Sequence, residues 1–271
     1  MFHLHPITTF DLPELAPYRT LRQQHDHRRQ RIFVAEGEKV VRRLLESDLS
    51  VVSLLLPEKW ARAFEPLLRR REEDIPVFVA EKPLLETLTG FSMYQGVLAV
   101  GCVRPPVDLA TVLQTSPRPR LFVALDELSN AENLGGLVRS CAAFGVHALV
   151  VGETSSSPYL RRAVRGSMGT VFGLPVVEPQ RLTEALTMLR AAGVRCFAAH
   201  PRADRRTPSQ VALSGDCCLV FGSEGHGLSP EVLAACDEAV AIPMSAGVDS
   251  LNVGSAAAVF LYEAARQRNQ A

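Results

Sequence analysis

The sequence has no stretch approaching the roughly 18 consecutive apolar residues that span a bilayer. Its first residues, Met1-Phe2-His3-Leu4-His5-Pro6, lack the basic and apolar regions of a secretory signal. A soluble, cytoplasmic protein without membrane contact is expected. None of the six cysteines forms a C-x-x-C pair, and most sit in apolar runs such as Cys217-Cys218-Leu219-Val220-Phe221. They read as buried reduced thiols, not disulfides or zinc ligands. The histidines are scattered, and the close pair His25 and His27 has no further ligands nearby, so no metal is expected. Three nucleotide or hydrolase fingerprints are missing as well: G-x-G-x-x-G, a P-loop Gly-Lys-Ser/Thr, and G-x-S-x-G. Their absence weighs against a dinucleotide enzyme, a P-loop NTPase and a serine hydrolase.

There is also no net charge, which counts against a uniformly basic nucleic-acid binder. The distribution is uneven, however. Residues 18–43 carry Arg19, Arg22, Arg28, Arg29, Arg31, Lys39, Arg42 and Arg43 against three acids, and Arg161, Arg162 and Arg165 form a second basic group. Each group alone is equally well read as a solvated helix face.

What is present is an apolar, α/β-patterned chain of 271 residues, 47% hydrophobic and 21% charged. That is enough for one large domain or two small ones. Strands are expected at 31–35, 51–56, 77–80 and 97–103, with helices at 39–46 and 60–71 between them. Two proline clusters then bracket residues 105–119, which read as a linker between a small α/β domain at 1–104 and a second domain at 120–271. Further strands are expected at 121–125, 148–151, 194–199, 217–221 and 239–242, and a last helix at 251–267. Apolar runs of this kind separated by helices imply a parallel sheet covered on both faces. Such sheets bind ligands beyond the carboxyl ends of their strands.

Three segments follow those strands. The first is Asn133-Leu134-Gly135-Gly136-Leu137-Val138-Arg139, where Asn133 is a plausible helix N-cap and the glycines permit close backbone approach. The second is Gly222-Ser223-Glu224-Gly225-His226-Gly227-Leu228, a glycine-rich loop with an embedded carboxylate. The third is Ile242-Pro243-Met244 with Ser250-Leu251-Asn252-Val253, where Ser250 or Asn252 would cap the last helix. Taken singly, they are a capped helix, a tight turn and a strand end.

Together, in this order and spacing, they resemble the three motifs of the SpoU (TrmH-like) class of the SPOUT RNA 2′-O-ribose methyltransferases. Asn133, Gly135 and Arg139 match N-x-G-x-x-x-R, while Gly222, Glu224, Gly227 and Leu228 match G-x-E-x-x-G-L. Ile242-Pro243-Met244 matches I-P-M, and Ser250-Leu251-Asn252-Val253 matches S-L-N-V. Arg165-Gly166-Ser167-Met168-Gly169 is similar to an element between the first two motifs. The resemblance covers residues 119–267. Phe33-Val34-Ala35-Glu36-Gly37 looks like part of the small substrate-binding domain that often precedes this one. The chain departs from the pattern at Asn130-Ala131, where many relatives have Asp-Pro, and at Ala246, where they have glycine.

The resemblance implies a C-terminal parallel-sheet domain with a deep trefoil knot, S-adenosylmethionine as cofactor, a homodimer, and RNA as substrate, ribosomal in preference to transfer RNA. It implies catalytic roles for Asn133, Arg139, Glu224, Ser250 and Asn252. Cofactor contacts would come from Leu219, Phe221, Gly222, Glu224, Gly227, Ile242, Met244, Ser250, Leu251 and Asn252. RNA contacts would come from Arg22, Arg31, Arg139, Arg161, Arg165 and Ser167. A guanidinium is normally fully protonated, so Arg139 is better suited to stabilising a phosphate or developing alkoxide than to acting as a base. The alternative is a catalytically idle RNA-binding or ribosome-assembly protein on the same fold. The presence of both Glu224 and Arg139 argues against it, because a pure binder needs neither.

Overall fold

Short apolar runs set most strands, and the chain winds them into two separate sheets. The computed structural model describes residues 1–21, 23–89, 95–201 and 206–269. Contacts divide it into two compact units, one of residues 1–104 with 159–172 and one of residues 105–158 with 173–271.

The first unit runs β1 (Phe2–Pro6), α1 (Ala16–Arg19), α2 (Gln24–Gln30), β2 (Ile32–Glu36), α3 (Glu38–Glu46), β3 (Val51–Leu56), α4 (Glu58–Leu68), β4 (Ile75–Val79), α5 (Lys82–Thr89) and β5 (Leu98–Cys102). Its sheet has the order β1-β4-β3-β5-β2. β1, β4 and β3 are parallel, and β5 runs antiparallel to both of its neighbours. α3 shows how local sequence meets the core: Val40, Val41, Leu44 and Leu45 form one buried stripe. Tyr18, fully buried, shares a 2.8 Å hydrogen bond with Ser53. Burial pushes the Tyr18 phenol well above its ordinary range. β1 was not expected from sequence. Its side chains are mostly exposed, so no apolar run marks it, and only backbone pairing with β4 makes it a strand.

The second unit contains α6 (Leu109–Thr115), β6 (Leu121–Leu125), α7 (Ala131–Ala143) and β7 (Ala148–Val151). The chain then passes through α8 (Arg161–Gly166), which belongs to the first unit and packs on β2. It returns for β8 (Val176–Val177), α9 (Leu182–Ala191), β9 (Arg195–Ala199), β10 (Cys217–Phe221), α10 (Pro230–Ala235), β11 (Glu238–Val240) and α11 (Val253–Asn269). All pairings are parallel, in the order β11-β9-β10-β6-β7-β8. Winding reverses between β6 and β10, so the segments after these two strands emerge side by side.

The structure corrects the expected linker. Asp108 caps α6, accepting from Ala110 N–H at 2.8 Å. Leu109, Val112 and Leu113 then enter the core beneath the parallel sheet. Prolines on either side had suggested an exposed tether, but the residues between them carry an apolar stripe that this sheet buries. α11 packs on α7 and β10, with Phe260 edge-on to Phe221 at 5.8 Å. At its end Arg268 donates to the carbonyls of Pro119, Arg120, Leu213 and Gly215. Cys141, Cys196, Cys217 and Cys218 are buried, and all six cysteines are free thiols. Burial pushes the Cys217 thiol up to about 11 and that of Cys236 to about 12, so neither is nucleophilic near neutrality. Among the described residues no helix is long and apolar enough to cross a membrane.

Candidate active site

β10 ends at Phe221, and the glycine-rich loop begins there. A Cβ on Gly222 would lie 2.1 Å from the carbonyl carbon and oxygen of Gly227, so only glycine fits. Gly227 is needed for a different reason: its φ is +72°. Ser223 and Gly227 exchange two backbone hydrogen bonds of 2.9 Å and pinch the loop shut. Glu224, Gly225 and His226 are left at its exposed tip.

Helix α7 brings a second segment to this tip. Its N-cap is Asn130, whose Oδ1 accepts from Glu132 and Asn133 N–H at 2.9 and 3.1 Å. This corrects the expectation that Asn133 is the cap. The side chain of Asn133, freed from capping, donates from Nδ2 to Glu224 Oε1. Its Oδ1 accepts from Asn252 Nδ2 at 2.8 Å. Asn252 in turn caps α11, accepting from Gly254 and Ser255 N–H at 2.9 and 3.4 Å. The helix therefore starts at Val253, two residues later than expected. The close approach of the two helices is made at Gly254, where a Cβ would meet Asn133 O at 3.6 Å. A Cβ on Gly136 would meet open space.

Beside the loop lies a cavity of about 450 Å³. Of the residues expected to contact a cofactor, Phe221, Gly222, Glu224, Gly227, Ile242, Met244, Ser250 and Leu251 line it. Leu219 does not: it is fully buried two residues before the end of β10. Asn252 sits beside the cavity through its bond to Asn133. Sequence reading missed the wall formed by Ala199, His200 and Pro201, together with Asp249 and Phe260. No motif marks 199–201. They reach the cavity because β9 neighbours β10 in the sheet.

Arg139 is exposed on α7 and has no polar partner among the described residues. Glu224 is bonded to Asn133, with no ion pair to Arg139.

The expected RNA-contacting residues of the first unit fare differently. Arg161 and Arg165 both pair with Glu36, Arg165 at 2.6 Å, and Glu36 is only 9% exposed. A carboxylate buried that deeply needs such partners. Ser167 is fully buried and its hydroxyl donates to Val164 O at 2.9 Å, which corrects its assignment to RNA contact. Arg31 is exposed at φ +53° and donates to Arg104 O at 3.1 Å. Arg22 lies outside the described residues. Among the described residues no three His, Cys, Asp or Glu side chains are grouped to hold a metal ion.

Residues 120–262 match the SpoU rRNA Methylase family. A Mycobacterium ulcerans protein described as an uncharacterized tRNA/rRNA methyltransferase is 36% identical over 211 residues, which cover 76% of this chain and 67% of the relative. The SpoU methyltransferase AviRb from Streptomyces viridochromogenes, solved in complex with the cofactor AdoMet, is 27% identical with a TM-score of 0.80, covering 95% of this chain and 98% of its own. A structure described as an RNA 2′-O ribose methyltransferase is 25% identical with a TM-score of 0.79, covering 98% of this chain and all of its own.

Proposed function

The chain belongs to the SpoU rRNA methylase family, and on that premise we propose that it transfers a methyl group from S-adenosylmethionine to a ribose 2′-hydroxyl of RNA, with ribosomal RNA preferred to transfer RNA. The observation that carries this reading is the cavity beside the Asn133–Glu224–Asn252 junction, lined by the second and third of the segments that match the family motifs, with the first joined to them through Asn133. The residues present fit the cofactor. About 450 Å³ suits a nucleoside-sized ligand, and Gly222, Gly225 and Gly227 put no side chains into the space it would take. Glu224 and Asp249 place carboxylates on the wall. These complement a sulfonium and an amino group and oppose a phosphate, which favours this cofactor over a phosphorylated nucleotide.

When bound, S-adenosylmethionine supplies an electrophilic methyl group, and the protein supplies placement and electrostatics. Residues 221–227, 242–244 and 250–251 would hold it. Asn133 and Asn252 hold Glu224 in one orientation. Arg139, exposed and unpaired among the described residues, is available to neutralise an RNA phosphate or the developing alkoxide. A homodimer, a deep trefoil knot in the C-terminal segments and a cytoplasmic location are proposed with this function. Val259 and Tyr262, 41% and 60% exposed on α11, supply apolar surface for a second copy.

The test is transfer of label from radioactive S-adenosylmethionine to size-fractionated total RNA from a strain lacking this gene, beside an Arg139→Ala variant. Label in ribosomal RNA that resists alkaline hydrolysis at the modified ribose, and is absent with the variant, is expected. Label confined to transfer RNA would overturn the substrate preference. Failure to bind the cofactor would return the chain to the idle RNA-binding alternative.

A further inference from the structure

Asp126 follows β6 directly, seven residues before the first motif, and is 5% exposed. A carboxylate so placed is costly unless hydrogen-bonded. Its Oδ2 accepts from Ser229 N–H at 2.7 Å. Its own backbone N–H donates to Phe221 O at 2.9 Å. Phe221 is the last residue before the glycine-rich loop and Ser229 the first after it. One residue on the neighbouring strand therefore ties down both ends of residues 222–228.

The two ties differ in kind. The bond to Phe221 continues the β6–β10 ladder, and any residue at position 126 other than proline would make it. The bond to Ser229 needs the side chain. Ser229 is also the N-cap of α10, its Oγ accepting from Val232 N–H at 3.4 Å. With both ends held and Ser223 pinched to Gly227, the loop has little freedom left. The height of Glu224 at its tip, and so the Asn133–Glu224 bond, depends on where Ser229 is anchored.

We infer that Asp126 is a positioning residue for the active site: its carboxylate anchors the end of the glycine-rich loop and thereby sets both the cavity wall and Glu224. The role in ligand binding rests on the proposed cofactor, whereas the loop anchoring does not. Asp126→Asn keeps an acceptor within reach of Ser229, and Asp126→Ala removes it. A second pair isolates the same bond from the other side. Ser229 has φ −62°, which proline adopts, so Ser229→Pro deletes the N–H while Ser229→Ala keeps it, and both lack the capping hydroxyl.

Two measurements on the full chain test the inference. In amide hydrogen exchange, Ser223 and Gly227 of Asp126→Ala should exchange about tenfold faster or more, while Leu149 in β7 and Gly152 just after it keep their wild-type protection. In calorimetric titration with S-adenosylhomocysteine, Asp126→Ala should bind about tenfold more weakly at unchanged stoichiometry, and Asp126→Asn within about threefold of wild type. A mere loss of folded protein would lower the stoichiometry instead. Wild-type loop exchange in Asp126→Ala, an unchanged dissociation constant, or an Asn variant as weak as the Ala variant would each overturn the inference. If Asp126→Ala does not fold, Ser229→Pro against Ser229→Ala decides it: equal loop exchange in the two overturns it, and faster exchange in the proline variant supports it. If the wild type itself does not bind S-adenosylhomocysteine, the cofactor proposal fails and the exchange arm still decides the anchoring.

Discussion

Asn252 donates from Nδ2 to Asn133 Oδ1 at 2.8 Å while its own Oδ1 accepts from Gly254 N–H. The backbone N–H can only donate, so the amide of Asn252 has one orientation, and that orientation forces Asn133 to present its Nδ2 to Glu224. The order runs from the first turn of α11 through α7 to the loop after β10. It ends on a group that must accept, which a carboxylate oxygen does.

Asn252→Asp retains the helix cap but cannot donate to Asn133. Thermal stability should stay near wild type while methyl transfer to RNA falls about tenfold or more. Asn252→Ala should in addition lose about 1 kcal/mol of stability with the cap. Parallel melting curves and label-transfer rates check both. Wild-type transfer by Asn252→Asp would mean that the ordered amide pair plays no part in the reaction.

The glycines of the loop separate by position. Gly222→Ala would drive a Cβ into the backbone of Gly227, whereas a Cβ on Gly225 meets nothing within 4 Å. S-adenosylhomocysteine binding should weaken about tenfold or more in the first variant and stay within about threefold of wild type in the second. Equal affinities in the two would show that the 222–227 contact does not shape the cavity.

Arg139 has no polar partner among the described residues, so Arg139→Ala should melt at the wild-type temperature. Methyl transfer should fall about a hundredfold or more, as for other donors aimed at developing negative charge. Arg139→Lys should recover little of it, because an ammonium lacks the planar fork. Near-normal turnover by the lysine variant would remove the guanidinium from the chemistry.

In the first unit, Arg71 bonds Glu73 and the carbonyls of Ser47 and Leu49. The Arg71 hydrogen bond, with help from Val51 N–H, holds the Glu73 carboxyl down at about 2 against an ordinary 4.5. A lowered folded value stabilises the fold fully above the unfolded value, and the contribution is lost as pH falls from 4.5 through about 2. Glu73→Gln should cost about 1–2 kcal/mol at neutral pH, with the difference from wild type shrinking as the solution is acidified. Unfolding curves taken at several pH values test this, and a pH-independent difference would exclude the ion pair as its source.

Local signals carried much of this protein. The strands at 51–56, 121–125, 148–151 and 217–221 begin and end where their apolar runs do, because continuous burial on both faces of a sheet leaves that mark in the sequence. The three motif segments were equally legible, since a glycine beside a backbone and an amide at a helix start are tied to fixed residue types.

Other features depend on partners far away in the chain. β1 is a strand only because β4 pairs with it. Residues 109–115 are helix packed into a core and not a tether, because the parallel sheet accepts their apolar stripe. Asn130 caps α7 and releases Asn133, a choice between two asparagines three residues apart that local sequence leaves open. Arg161 and Arg165 belong to Glu36, more than 120 residues earlier, and Asp126 belongs to Ser229, just over a hundred residues later. By itself the sequence determined the secondary structure of the cores and the identity of the motif residues, since both are set by neighbours along the chain. Only the tertiary structure decided which side chains meet, because strand order brings distant strand ends together and a buried charge binds whichever partner that order supplies.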